Sequence, residues 1–289
     1  MLISVILFIL LLCGYFIGKA NGAGIWGLII AFIISFLLIL FSYFKADKVV
    51  LAASAARLIE KKDNPQFFNV VEEMSIAAGL PMPNIYVIED TAPNAFACGR
   101  KPQLASIAVT TGLLSKLNRD ELQGVIAHEM SHIKNYDILY ATLICILVGT
   151  IALLCDTFRR SLRYGLISGR GRRSTRSSSS GPVLLVIFIV AVVLSILAPV
   201  FAQILQFAIS RQREYLADAS AAQLTRYPEG LARALEKIAN DKEVLEVANR
   251  ATQHLYIVNP IKPFEARAQN NIFSTHPPIE ERIRRLRAM

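Results

Sequence analysis

Four stretches of the chain are apolar almost without interruption, at 2–18, 23–44, 138–155 and 182–209, and between them the pattern becomes periodic and polar. The 22 residues of 23–44 are enough, at a helical rise of about 1.5 Å each, to cross a hydrocarbon core of about 30 Å. Trp26 and the Tyr43-Phe44 pair suit the two interfaces, and Lys45 and Lys48 follow at once, which puts the next domain in the cytoplasm. Stretch 2–18 has no basic leader and is followed by a second apolar span after only 19–22, so the two read as a retained helical hairpin and not a cleaved signal. The 18 residues of 138–155 lie near the lower limit for a span, and 182–209 carries Pro199, Gln203 and Gln206 near its end. This second pair reads either as two crossings or as a re-entrant hairpin. In both cases its ends return to one side.

The polar regions predict mainly helix with a small sheet. Lys45 to about Glu60 continues the second span as helix. Asn64 and Pro65 open another helix as N-cap and first residue, Phe67, Val70, Val71 and Met74 form its apolar face, and Gly79 ends it. Short strands are expected at 85–88, 94–98 and 106–110. Asn118 with Glu121 three residues later makes a capping box for a helix that runs through residue 132. It tolerates Gly124, and no Gly or Pro lies between His132 and Gly149, so it is expected to enter the third apolar stretch. Further helices are expected over 211–224, 231–240 and 278–288. The resulting division is a membrane hairpin at 1–44, the first part of a cytoplasmic domain at 45–137, a second hydrophobic hairpin at 138–209 with its loop at 159–181, and the second part of that domain at 210–289.

Composition supports this division. Apolar residues make up 54% of the 289 and mean hydropathy is +0.44, a surplus that the four stretches absorb. Cys13, Cys98, Cys145 and Cys155 include no C-x-x-C pair, so neither a disulfide framework nor a cysteine zinc site is expected. The net charge of +9 is local: seven arginines and no acid lie within 159–180, leaving +2 elsewhere. Placed between two apolar stretches, that strip faces lipid headgroups and not nucleic acid.

The chemistry centres on His128-Glu129-Met130-Ser131-His132, an H-E-x-x-H sequence. On a helix, positions i and i+4 share a face, so both imidazoles reach one zinc ion while Glu129 serves as general base for a zinc-activated water. Such a site needs a third protein ligand, and no histidine follows closely. Glu214, in Arg213-Glu214-Tyr215-Leu216-Ala217-Asp218, is the candidate, with Asp218 one turn on to accept the free N–H of a ligating histidine. His132 lies six residues before the third apolar stretch and Glu214 five after the fourth. On continuous helices these are about 9 Å and 7.5 Å, so the ligands share a height above the membrane.

HEMSH, EYLAD, NAFACGR and THPPIEERI together resemble the HtpX-type membrane zinc proteases, relatives of the eukaryotic CAAX-prenyl endopeptidases, over nearly the whole chain. The resemblance implies a zincin-like (gluzincin) domain attached to a multi-helix membrane domain. It also implies one Zn2+ per chain, His128, His132 and Glu214 as ligands, and Glu129 as the catalytic glutamate. The activity implied is endopeptidase cleavage of misfolded or damaged membrane proteins in stress-related quality control. The setting implied is the bacterial cytoplasmic membrane, multi-pass, with the site facing the cytoplasm and the lipid bilayer as a partner. The chain departs from the family in the length and arginine content of 159–181.

Secondary expectations follow. Asn94, Ala95, Phe96 and Ala97 alternate like an exposed edge strand able to pair with a substrate backbone, with Phe96 alternatively inward. His276 is either a donor to the oxyanion of the tetrahedral intermediate or a turn residue. Arg282 and Arg285 are expected to be solvated or paired with Asp and Glu, and His254 carries no motif. Two other functions fit the pattern: a peptidase for lipidated peptides, and an inactive membrane scaffold. The carboxylate of Glu129 argues against the scaffold, which has no use for it.

Overall fold

The computed structural model describes residues 24–143, 211–241, 255–258 and 277–289, with single positions at 7, 11, 15, 243 and 245. The expected segment 2–18, most of 138–155, all of 182–209, the loop 159–181, His254 and His276 lie outside the described residues or nearly so. The chain forms two compact units, one of Met1–Phe44 with Leu147–Ala202 and one of Lys45–Ile146 with Gln203–Met289.

Apart from the single positions 7, 11 and 15, the described residues of the first unit lie in α1 (Gly24–Ala53), whose early turns expose Ile25, Trp26, Ile30, Phe36 and Leu37. Among the described residues no single helix is long and apolar enough to cross a membrane. The two arms of α1, Ile25–Phe41 and Tyr43–Ala53, satisfy length and composition together across a bend.

The second unit is built around a four-stranded sheet of β1 (Arg57–Leu58), β2 (Asn84–Ile88), β3 (Ala95–Cys98) and β4 (Ser106–Thr110) in the order β1-β2-β4-β3. β2 and β4 are parallel, and the two outer pairings are antiparallel. The helices are α2 (Pro65–Ala78), α3 (Thr111–Lys116), α4 (Arg119–Lys134), α5 (Arg211–Thr225), α6 (Pro228–Asn240) and α7 (Ile279–Arg287). Period-two alternation along the strands gives the sheet two buried faces. Ile85, Val87, Ala95, Ala97, Ile107 and Val109 join the main core with the helices. Ile88, Phe96, Cys98 and Ala108 join a smaller core with Val50 and Leu51 from the end of α1.

α4 is the hub, packed against α2, α5, α6 and β3. It begins as expected: Asn118 accepts from Glu121 N–H, and the Glu121 side chain accepts from the Asn118 backbone. Gly124 lets α6 come close, because a Cβ there would stand 2.7 Å from the backbone nitrogen of Leu231. α2 is capped as read, with Asn64 accepting from Phe67 N–H and Gly79 left-handed at φ 67°.

Two helical expectations are overturned. The helix leaving α1 stops at Ala53, Ala55 turns at φ 50°, and Arg57–Leu58 pairs with β2, so the run to Glu60 is not helix. α4 likewise ends at Lys134 with Asn135 as C-cap. Tyr136 then sits at φ 59°, and a new helical stretch covers 137–143. The helix through His132 is therefore not continuous with the third apolar stretch, and the estimate of 9 Å from a continuous helix does not hold. Neither break carries a Gly or Pro signal, because each is made by a non-glycine residue in the left-handed region.

Candidate metal centre

Three turns of two packed helices create the site. On α4, His128 and His132 lie one turn apart with ring centroids 4.8 Å from each other, and their Nε2 atoms are 3.2 Å apart. From α5, the carboxylate of Glu214 stands 3.8 Å from His128 Nε2 and 3.6 Å from His132 Nε2. One ligand atom from each of these three residues falls within 4.8 Å of the others.

The far side of each ring explains why both Nε2 atoms face inward. His128 Nδ1 is 3.0 Å from Asp218 Oδ1, and His132 Nδ1 is 3.0 Å from Asp137 Oδ2. A carboxylate accepts, so each Nδ1 carries the proton and each Nε2 presents a lone pair. Two lone pairs and a carboxylate that converge in a buried place repel one another unless a cation lies between them. Zinc bonds of about 2.0–2.1 Å in tetrahedral geometry separate two ligands by about 3.3 Å, which this arrangement approaches. The donor set fits a metal ion.

Of the two settings expected for Arg282, solvated or paired with an acid, the second holds, and the residue lies behind His128. It is 0% exposed, grips Asp218 with Nε at 2.8 Å and a terminal nitrogen at 2.7 Å, and lies 3.5 Å from Glu214. Its other terminal nitrogen donates to the Ile257 carbonyl at 3.3 Å. The signal was faint but present: Ile279, Ile283 and Leu286 form the inward stripe of α7, and Arg282 falls within it. Burial alone would raise the Asp218 carboxyl, but the Arg282 charge and hydrogen bonds and the bond from His128 outweigh it and hold it at about 2. Burial lowers the His128 imidazole, against the pull of Asp218, and so keeps it neutral and able to ligate. Arg285, by contrast, pairs with Glu281 and stacks over Tyr215 on the surface.

Glu129 is buried beside the histidines. Its carboxyl is raised to about 7, first by burial and also by the Glu214 charge, against the opposing pull of His132 and a hydrogen bond from the Ala97 backbone. That backbone bond joins β3 to the Glu129 carboxyl.

A cavity of about 290 Å³ opens over these groups. Its walls include Ala97, Ile138, Tyr140, Ala141, Arg213 and residues 255–257. The expected exposed strand needs correction here. β3 is an edge strand, but Asn94, Ala95, Phe96 and Ala97 are all buried. Ile257 N–H donates to the Ala95 carbonyl at 3.0 Å, and the Asn94 amide donates to the Val258 carbonyl at 2.9 Å, so residues 255–258 cover the edge. Phe96 turns inward against Tyr256, edge to face at 5.1 Å. Of the four, only Ala97 lines the cavity.

A helix-borne H-E-x-x-H set against a small mixed sheet, completed by a glutamate from a second helix, is the arrangement of a metallopeptidase. The comparisons agree. Residues 61–289 match Peptidase family M48, and the chain belongs to that family. It is 48% identical over 288 residues to a protein named "Protease HtpX homolog" from Dictyoglomus thermophilum, covering 100% of this chain and 90% of that one. A protein of the same name from Listeria monocytogenes serotype 4a is 42% identical, covering 97% and 96%. The crystal structure of S. mikatae Ste24p shares the fold at a TM-score of 0.52 and 19% identity, covering 96% of this chain and 62% of that one. Membership in a peptidase family favours an enzyme over the scaffold alternative.

Proposed function

We propose that this metallopeptidase is a membrane-bound, zinc-dependent endopeptidase that hydrolyses misfolded or damaged membrane proteins at the cytoplasmic face of a bacterial inner membrane. The observation that carries the proposal is the convergence of His128 Nε2, His132 Nε2 and the Glu214 carboxylate within 4.8 Å, with the Glu129 carboxyl buried beside them. His128, His132 and Glu214 would hold one zinc ion, which when bound supplies Lewis acidity toward the scissile carbonyl and the attacking water. Glu129 takes the proton from that water and passes it to the leaving amine. Asp218, anchored by Arg282, holds the His128 ring in its neutral, Nδ1-protonated form. Leu255, Tyr256 and Ile257 exclude bulk water from one side of the cleft and suit an apolar substrate segment.

Membrane attachment rests on the four apolar stretches and on the exposed apolar surface of α1. Division into a hairpin at 1–44, a second hairpin at 138–209 and a peptidase formed from 45–137 and 210–289 belongs to the same reading, as does a role in stress-related quality control. Metal analysis of the full chain in detergent, followed by casein cleavage with and without chelator, tests it. Wild type is expected to hold one zinc and to lose activity on chelation, and Glu214→Ala to lose the metal. A metal-free wild type that cleaves casein would overturn the reading.

A further inference from the structure

Each of the two histidines is backed by its own carboxylate–arginine pair, and the pairs differ in setting. Asp218 and Arg282 are sealed in, with side chains 3% and 0% exposed. Asp137 and Arg213 stand at the cavity wall, 12% and 44% exposed, with an Arg213 terminal nitrogen against Asp137 Oδ1 while Asp137 Oδ2 meets His132 Nδ1 at 3.0 Å. Arg213 also lies over the Tyr140 ring, 5.9 Å from its centroid.

The local chain geometry is costly and serves this contact. Had α4 continued, residue 137, five positions after His132, would point about 140° away from it around the helix axis. Tyr136 at φ 59° breaks the helix and turns Asp137 back onto His132. A bulky non-glycine residue in that region costs on the order of 1 kcal/mol, and such strain persists only where surrounding contacts fix it.

Resting on the zinc reading above, we infer that Asp137 is a positioning residue for His132 and that Arg213 holds it in place. Asp137 sets the Nδ1-protonated tautomer and fixes the ring plane. Arg213 immediately precedes Glu214, so one turn of α5 supplies both the third ligand and the cation that steadies the second ligand's partner. The ion pair thus joins two parts of the chain that are far apart in sequence at the site itself.

The test is zinc affinity of the full chain in detergent, read by competition with a chromophoric chelator, beside melting of the zinc-free protein. Asp137→Asn is expected to weaken zinc binding about tenfold or more, in the range found for outer partners of ligating histidines, and to leave zinc-free melting unchanged. Arg213→Gln should weaken zinc binding less, and should add nothing in the Asp137→Asn background, while Arg213→Lys restores most of the loss. Zinc affinity within twofold of wild type in Asp137→Asn would overturn the inference. So would additive effects of the two substitutions, or a loss of zinc-free melting that accounts for the weaker binding. If instead His132→Ala kept wild-type zinc affinity, the ligand set would fail, and the inference with it.

Discussion

Replacing Arg282 with Met probes the most deeply buried ion pair of the catalytic unit. The substitution keeps apolar bulk but removes the guanidinium that contacts Asp218 twice and lies 3.5 Å from Glu214. Asp218 sits at about 2 in the folded protein against an ordinary 3.8, a difference worth on the order of 2 kcal/mol of stability at neutral pH. Because the folded value is depressed, that stability is present above pH 3.8 and is lost as pH falls toward 2. Without Arg282, burial dominates, the Asp218 carboxyl rises above its ordinary value, and the pH dependence reverses sign, so that stability is lost as pH rises through the folded value. Breaking a buried pair costs about 3–5 kcal/mol overall, since the remaining charge is left uncompensated. For a unit of this size that is a fall of roughly 10 °C in melting temperature. The assay is thermal unfolding of the zinc-free protein at pH 7 and pH 5, with zinc affinity in parallel. Asp218→Asn combined with Arg282→Met removes both charges and should recover much of the loss. A loss below about 1 kcal/mol in the single variant, or a double variant no more stable than the single, would refute the argument.

Three further outcomes are expected. Glu129→Gln should abolish peptide hydrolysis while zinc stays bound. In the zinc-free protein the same change should also flatten a pH slope: a folded value raised from 4.5 to about 7 stabilises below pH 4.5, and that contribution, up to about 3 kcal/mol, is lost as pH rises through 7. Parallel melting profiles for the two proteins between pH 5 and 8 would count against burial as the cause. Gly124→Val should separate α4 from α6 and lower the melting temperature, as a Cβ there meets the Leu231 backbone at 2.7–2.8 Å; unchanged melting would show that α6 can retreat without cost. Tyr136→Gly should be tolerated, whereas Tyr136→Val should destabilise by about 1–2 kcal/mol, because a β-branched residue disfavours the left-handed region; equal melting of both variants would remove strain from the account of Asp137.

The helices were legible where capping and periodicity coincided. Asn64 with Pro65, Asn118 with Glu121 and Gly79 stand where local hydrogen bonding puts them, and local hydrogen bonding is written in neighbouring residues. β1 was not legible, because two exposed residues become a strand only when β2 offers them an edge. The stop at Tyr136 was hidden for a similar reason: no propensity rule marks a tyrosine for the left-handed region, and its cost is met by contacts formed across the fold. Strand 94–98 was found by its alternation, but the segment that covers its edge comes from 255–258, more than 150 residues away, so its burial was beyond any local rule.

By itself the sequence determined the apolar stretches, the catalytic helix and the spacing of His128, Glu129 and His132, because one turn of helix puts residues i and i+4 on one face whatever surrounds them. The motif also made Glu214 and Asp218 candidates. Only the tertiary structure decided that Glu214 meets both imidazoles, that Arg282 lies buried behind Asp218, and that Asp137 and Arg213 back the second histidine. Those contacts join residues up to 86 positions apart, His128 and Glu214, and their energies depend on burial and charge at distances that a linear pattern does not encode.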